Sequence, residues 1–433
     1  MNERLKGKNE VRNLAVGLLH YSCLPVVGGV EEVLDQQSSL LDRYSYRVKV
    51  LAGAGRALNR DDPMEINPLL GSRNRHVLQA HRLLVEENDS RGIETLASEI
   101  EGYLREQFRH CDIVLAHNVL TMPYNLPLTC ALWKLADSES MGVISWGHDS
   151  PYFYANYAPH LDHSPWTVLK KLHPKIHYVT ISENRRQQFL RLYGKAHRIH
   201  VVNNGIDPSK FLNLDATTVR LVEEEGLLGE DFLIFHPCRL HPRKNVELSI
   251  RVTRALRDQG VPARLLVTGA LDPHEPESLD YYRKLLRLTR QLDVERNVLI
   301  LGEYQFQNGD RISADRLTTR DFYLISDVLF LPSHEEGFGL PLLEASLTRL
   351  PVVCSKIAPF TELAKENVCY FGLQDTPAEI AAKIVGFVFE GKSHRFFRRT
   401  KSSHLWDSIY RTELVPLFQE VLEEQEAQVA VHS

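Results

Sequence analysis

EEGFGLPLLEA, Glu335 to Ala345, is the stretch whose reading decides the fold. Just ahead of it, Val328-Leu329-Phe330-Leu331 is an unbroken apolar run, as expected of a strand covered on both faces of a parallel sheet. Pro332 and Ser333 end the run, and Gly337, Phe338, Gly339 and Leu340 make a glycine-containing loop. Pro341 suits the first turn of a following helix, where its missing N–H is no loss. The glycines let the backbone bend and come close to a ligand, and the helix start aims free N–H groups at the same spot, which favours anions. Glu336 in the loop and Glu344 in the helix have seven residues between them. Carboxylates beside an anion site suit a ligand with both phosphate and hydroxyl groups, such as a nucleotide sugar.

Around this stretch the second half of the chain alternates strands with helices. Leu233–Phe235, Leu265–Thr268, Val298–Leu301 and Val352–Cys354 read as further strands, and Val246–Arg257 and Tyr281–Leu292 as helices. That alternation predicts a parallel sheet with helices packed on it. Two loops past strand ends carry candidate ligand groups. In CRLHPRKN, Cys238 to Asn245, Arg239 offers a bidentate fork and Lys244 a point charge to a diphosphate. In Thr268-Gly269-Ala270 the glycine permits close approach.

The first half repeats the pattern. Leu14–Leu19 is a strand followed by His20-Tyr21-Ser22, and Gly28-Gly29 open a helix with apolar positions Val30, Val33, Leu34, Leu40 and Leu41. Val48–Ala52, Ile113–Ala116, Val143–Trp146, Tyr178–Ile181 and Ile199–Val202 are further strands. Polar clusters stand at the carboxyl ends of two of them, His117-Asn118 and Gly147-His148-Asp149, where open α/β sheets gather their ligands. Residues 56–76 read as a loop, the basic segment through Arg73, Arg75, His76 and Arg82 as a solvated and partly helical face, and 204–230 as the interdomain linker. The tail from about 395 is helical, and Trp406, Tyr410, Leu414, Leu417 and Val421 need a surface to cover, so it is expected to return to the first domain.

The totals exclude several classes. The 433 residues are long for one core, and 43% hydrophobic with 25% charged residues is ordinary globular composition. A net charge of −5 argues against a nucleic-acid partner. Six scattered cysteines without a C-x-x-C pair read as reduced residues of a cytoplasmic protein. No apolar run reaches membrane-span length, which leaves peripheral contact as the membrane option. There is no G-x-x-x-x-G-K-[ST], H-E-x-x-H or G-x-S-x-G motif, and no D-x-D pair to hold a diphosphate through a metal. No cofactor or metal is therefore expected; two cations and a helix start would have to neutralise the diphosphate.

With GGVE at Gly28, NNGID at Asn203, RLHPRKN at Arg239, ISDVLFLPS at Ile325 and EEGFGLPLLEAS at Glu335, the chain resembles the retaining family 4 glycosyltransferases. The last of these motifs matches that family's E-x7-E. The resemblance implies a GT-B fold: two Rossmann-like, doubly wound parallel-sheet α/β domains facing a cleft. An acceptor-binding domain would span 1–205 together with a C-terminal helix from about 396 to 433, and a nucleotide-sugar-binding domain 206–395. It also implies transfer of a hexose from GDP-mannose or UDP-glucose to a hydroxyl of a small sugar-containing acceptor. Glu336 would then contact the donor sugar, Glu344 the ribose, and Arg239 and Lys244 the diphosphate. His148 would orient groups at the reacting centre, and Gly28-Gly29 would approach the diphosphate or the acceptor. His117, Asn118 and Asp149 stand with His148 on the acceptor side. A nucleotide-sugar epimerase and a non-catalytic sugar-nucleotide-binding protein are the alternatives.

Overall fold

The computed structural model describes residues 14–56, 64–138, 141–194, 198–229, 231–269, 278–312 and 314–432. The chain divides into two compact units, Met1–Ile206 with Trp406–Ser433, and Asp207–Leu405. Each is a parallel sheet covered on both faces.

The first unit holds seven strands: β1 Ala15–His20, β2 Arg47–Ala52, β3 Met64–Ile66, β4 Ile113–His117, β5 Gly142–Gly147, β6 Ile176–Thr180 and β7 His200–Val201. Their order is β3-β2-β1-β4-β5-β6-β7, so the direction of winding reverses between β1 and β4. Alternate residues feed opposite cores, as the two-residue period of a strand requires. Val16 and Leu18 of β1 enter one apolar cluster and Leu19 the other.

The second unit holds β8 Phe232–His236, β9 Ala263–Val267, β10 Val298–Ile300, β11 Val328–Leu331, β12 Val352–Ser355 and β13 Cys369–Phe371. The order β10-β9-β8-β11-β12-β13 puts its reversal between β8 and β11. Phe232 and Ile234 enter one cluster, Leu233 and Phe235 the other. Two parallel-sheet α/β units of this kind fit the GT-B architecture. Among the described residues no helix is long and apolar enough to cross a membrane.

Three expectations need correction. The segment read as a linker, 204–230, contains the helices Pro208–Phe211 and Ala216–Glu225. Leu221, Val222 and Leu227 are buried in the second unit's core, so this segment is part of that unit. The loop expected at 56–76 contributes strand β3 and the start of helix Arg75–Glu87, while residues 57–63 lie outside the described set, as does Ala270. Strands β3 and β13, three residues each, are too short to show a period.

The return to the first unit comes at Trp406 and not near 396. Helix Lys392–Ser403 stays with the second unit because His394, Arg398 and Lys401, spaced four and three apart, form one stripe facing the buried Asp327. Beyond it, Trp406, Ile409, Leu414, Leu417, Phe418 and Val421 join the core under β1. Trp406 Nε1 donates to Gln36 Oε1 at 2.6 Å.

Candidate functional site

In the second unit the candidate residues gather at the carboxyl ends of β8, β9 and β11, across the winding reversal where open α/β sheets hold ligands. The loop after β8 and the loop after β11 are laced together. His334 N donates to Arg243 O at 2.8 Å, and Asn245 Nδ2 to Pro332 O at 3.3 Å. Arg243 reaches Glu335 O at 3.4 Å. The loop after β9 joins through Thr268 Oγ1, which accepts from Cys238 N at 2.9 Å. Gly269 has φ +58° and lies against Ile300, where a Cβ would come within 2.6 Å of a methyl carbon, so a backbone reason for this glycine is evident.

Glu336 sits at the centre of this lacing. Its carboxylate is ion-paired with Lys244 Nζ, accepts from Ser333 Oγ at 3.1 Å and lies 3.8 Å from Arg243. The Lys244 and Glu336 side chains are only 15% and 12% exposed, so the pair is partly desolvated and its attraction is stronger than that of a surface bridge. Arg243, and not Arg239, is the arginine beside Glu336. The turn Pro242–Lys244 directs residues 243 and 244 toward the β11 loop, whereas Arg239 is exposed earlier in the same segment. Ser333 and Arg243 were not singled out from the sequence, although both lie inside motifs that were.

Helix Leu340–Thr348 follows, with Pro341 in its first turn as expected. Gly339 caps it at φ +103°, a conformation that favours glycine, with no side-chain cap and no acidic residue in the first turn. Pro341 has no N–H and Leu342 N donates to Gly339 O at 3.0 Å, which leaves the Leu340 N–H at the helix start for an anion. Gly337 does not share the left-handed conformation, and a Cβ there would meet open space. Phe338 and Leu340 are 55% and 61% exposed, an apolar surface at the mouth of the helix start. Glu344, one turn along, accepts from the buried Tyr323 at 2.5 Å. Burial and that carboxylate push the Tyr323 hydroxyl well above its usual range, so it stays a donor that aims Glu344.

The first unit places its candidates at its own reversal point. His117 ends β4, His148 follows β5, and His20 ends β1. His117 Nδ1 and His148 Nε2 are 3.1 Å apart, and His20 Nδ1 lies 2.8 Å from His117 O. His20 Nε2 is 3.8 Å from Glu31, which also accepts from Ser22 Oγ at 2.6 Å. Asn118, at φ +60°, is occupied within the fold: its side-chain oxygen accepts from His148 N at 2.8 Å and Asp149 N at 3.3 Å. Asp149 in turn holds Tyr154 at 2.9 Å and Arg185 at 3.2 Å. Asn118 and Asp149 therefore shape the loop that carries His148. His20 and Glu31 are the residues the sequence reading passed over; their only signal was the strand end and the GGVE motif.

Gly28 precedes helix Gly29–Arg43 with extended backbone at φ −171°, so its glycine is not a conformational need. A Cβ there would crowd the Glu31 carboxylate, whereas Gly29 faces open space. Glu31 and Glu32 fill this helix's first turn with negative charge, the opposite of the bare start at Leu340. Of the two helix starts, the one after β11 is the better diphosphate seat.

Burial lowers the pKa of all three histidines, and for His148 it reaches about 3, with His20 nearby adding to the effect. They are neutral at pH 7. Because the folded values lie below the unfolded value of 6.5, acidification protonates the unfolded chain first, and stability is lost as pH falls below about 6.5. Each such histidine should cost about 1.4 kcal/mol per pH unit in that range. Urea midpoints at pH 7 and pH 5 should show this fall, and His117→Gln should flatten it by about one proton's worth. An unchanged slope in that variant would remove His117 from the buried set.

Residues 27–210 match the family model described as Glycosyltransferase Family 4, and residues 220–400 that described as Glycosyl transferases group 1. Together the two matches indicate a glycosyltransferase of the family 4 type. An uncharacterized glycosyltransferase of Methanocaldococcus jannaschii is 28% identical over 193 residues, 44% of this chain and 45% of that protein. A D-inositol 3-phosphate glycosyltransferase of Saccharomonospora viridis is 29% identical over 173 residues, 39% of this chain and 37% of that protein. The alpha-1,3/1,6-mannosyltransferase of Mus musculus is 25% identical over 166 residues, 37% of each chain. This chain thus spans less than half the length of these curated relatives. A glycosyltransferase structure from Rickettsia africae aligns over 95% of this chain and 99% of its own, at 17% identity and a TM-score of 0.35.

Proposed function

We propose that the protein moves a hexose, with retention, from a nucleoside-diphosphate sugar to a hydroxyl of a small sugar-containing acceptor, using GDP-mannose or UDP-glucose as donor. One observation carries the reading: an acid-free helix start at Gly339–Leu340 whose preceding loop presents Glu336 paired with Lys244. The helix start and Lys244, helped by Arg239, would neutralise the diphosphate without a metal. Glu336 would accept from sugar hydroxyls and Glu344, aimed by Tyr323, from the ribose. The relatives support a glycosyl donor, and one of them is named a mannosyltransferase.

The acceptor is assigned to the first unit, at the neutral His148–His117 pair. A neutral imidazole accepts from or donates to a hydroxyl without carrying a charge that would compete with the departing phosphate. As the glycosidic C–O bond breaks, its electron pair passes to the diphosphate, and the acceptor hydroxyl attacks from the same face. Its proton leaves toward the departing phosphate oxygen. In that sequence Glu336 positions the sugar and forms no covalent bond.

Donor identity is testable by thermal unfolding with GDP, GDP-mannose, UDP and UDP-glucose. A ligand at 100 times its Kd adds about 2.7 kcal/mol, which for a unit of this size raises Tm by roughly 5–10 °C. A rise with one base and its sugar names the donor. The absence of any rise at millimolar ligand would overturn the donor site and favour a non-catalytic chain.

A further inference from the structure

Away from these candidates, the first unit holds a cluster that the transfer chemistry does not use. Helix Val415–His432 packs so closely on the sheet that a Cβ at Gly142 of β5 would lie 2.4 Å from Val421 Cγ1. Glu420 and Glu424, one turn apart on the flank of that helix, face the edge formed by β6 and β7. His177 of β6 shares a sheet face with Val179, whose partner across the ladder is His200 of β7. The two imidazoles and the two carboxylates are thus brought together from three parts of the chain.

The distances are those of a ligand set. One donor atom each from His177, Glu420 and Glu424 lies within 4.8 Å of the others. His177 Nε2 is 3.8 Å from Glu424, and His200 Nε2 is 3.2 Å from Glu420 Oε1. We propose that His177, Glu420 and Glu424, with His200 holding Glu420 from beside them, form a site for a divalent first-row transition metal of the zinc type. Mixed imidazole nitrogen and carboxylate oxygen selects that class over magnesium or calcium, which take oxygen alone. Two carboxylates at i and i+4 on one helix repel unless a cation stands between them. Here Arg198 supplies one positive charge, forked onto Glu420 at 2.7 Å, but it is 69% exposed and easily displaced.

Such a metal would staple the C-terminal helix to the β6–β7 edge, a structural role separate from the donor loops. The test is titration of the full-length, tag-free protein with Co²⁺, followed by visible absorption, and displacement by Zn²⁺. One Co²⁺ per chain is expected, with hydrogen-exchange protection rising in β6, β7 and helix Val415–His432. His177→Ala and Glu424→Gln should each weaken binding by at least roughly 10–100-fold, the effect of losing even an outer partner of a metal ligand. Arg198→Gln should strengthen it, because a competing cation is gone. Glu424 is half exposed and its change to Gln is isosteric, so that variant tests the site even if His177→Ala folds poorly. No Co²⁺ binding up to millimolar metal, or equal binding in wild type and Glu424→Gln, would overturn the proposal.

Discussion

Lys244→Ala, assayed with saturating donor and acceptor, is expected to lower turnover by roughly 10²–10³-fold, the size of effect found when one preorganised charge-stabilising donor is removed. Lys244 is held in place by the Glu336 carboxylate, and the loops that carry them are tied by the backbone bond from His334 N to Arg243 O and by the Asn245 and Arg243 side chains. On the proposed reading its ammonium would need little reorganisation as negative charge grows on the leaving diphosphate. Glu336→Ala should be comparably damaging, through loss of sugar positioning and release of Lys244. If the two act as a unit, the double variant should be little worse than the worse single one. Nucleotide-induced Tm shifts separate the roles: Lys244→Ala should shrink the shift caused by the free nucleoside diphosphate, whereas Glu336→Ala should shrink mainly the extra shift caused by the sugar. A Lys244→Ala rate within threefold of wild type would remove Lys244 from the mechanism.

The placement of both residues past strand ends was legible in the sequence, and the reason is topological. Parallel strands buried on two faces read as short apolar runs, so Val328–Leu331 was located to the residue, and whatever follows such a run stands at the ligand edge of the sheet. That Arg243 stands beside Glu336 was not legible. Arg239 and Arg243 sit in one loop, and only the turn at Pro242–Lys244 decides which side chain reaches Glu336. Glu31 was hidden for a related reason. A carboxylate in a helix's first turn looks like routine dipole complementarity, yet here it joins Ser22 and His20. The segment 208–225 misled because its short helices carry few apolar residues, and what places them is burial of Leu221 and Val222, a tertiary fact.

Asp327 shows how a motif letter can conceal a structural centre, and Asp327→Ala is the second large effect to expect. It stands at the entry to β11 inside ISDVLFLPS and is fully buried. Its Oδ2 accepts from Leu233 N at 2.9 Å, and its own N–H donates to Leu233 O at 2.8 Å, so it pins β11 to β8 at the start of both strands. Lys401 Nζ lies 3.0 Å away, and His394 and Arg398 approach the other carboxylate oxygen at 3.5 Å each. Removing the carboxylate leaves Lys401, itself 7% exposed, without its anion. Breaking a buried pair from one side costs about 3–5 kcal/mol. Replacing both partners by apolar groups can cost far less, so Asp327→Ala with Lys401→Met should recover part of the loss. Because a two-unit chain need not unfold in one step, the readout is hydrogen exchange at the β8 and β11 amides together with urea unfolding. Accelerated exchange at Leu233 in the single variant, reduced in the double, is the expected pattern. A cost below about 1 kcal/mol would place the pair in the range of a surface ion pair and remove Asp327 as the anchor of helix Lys392–Ser403.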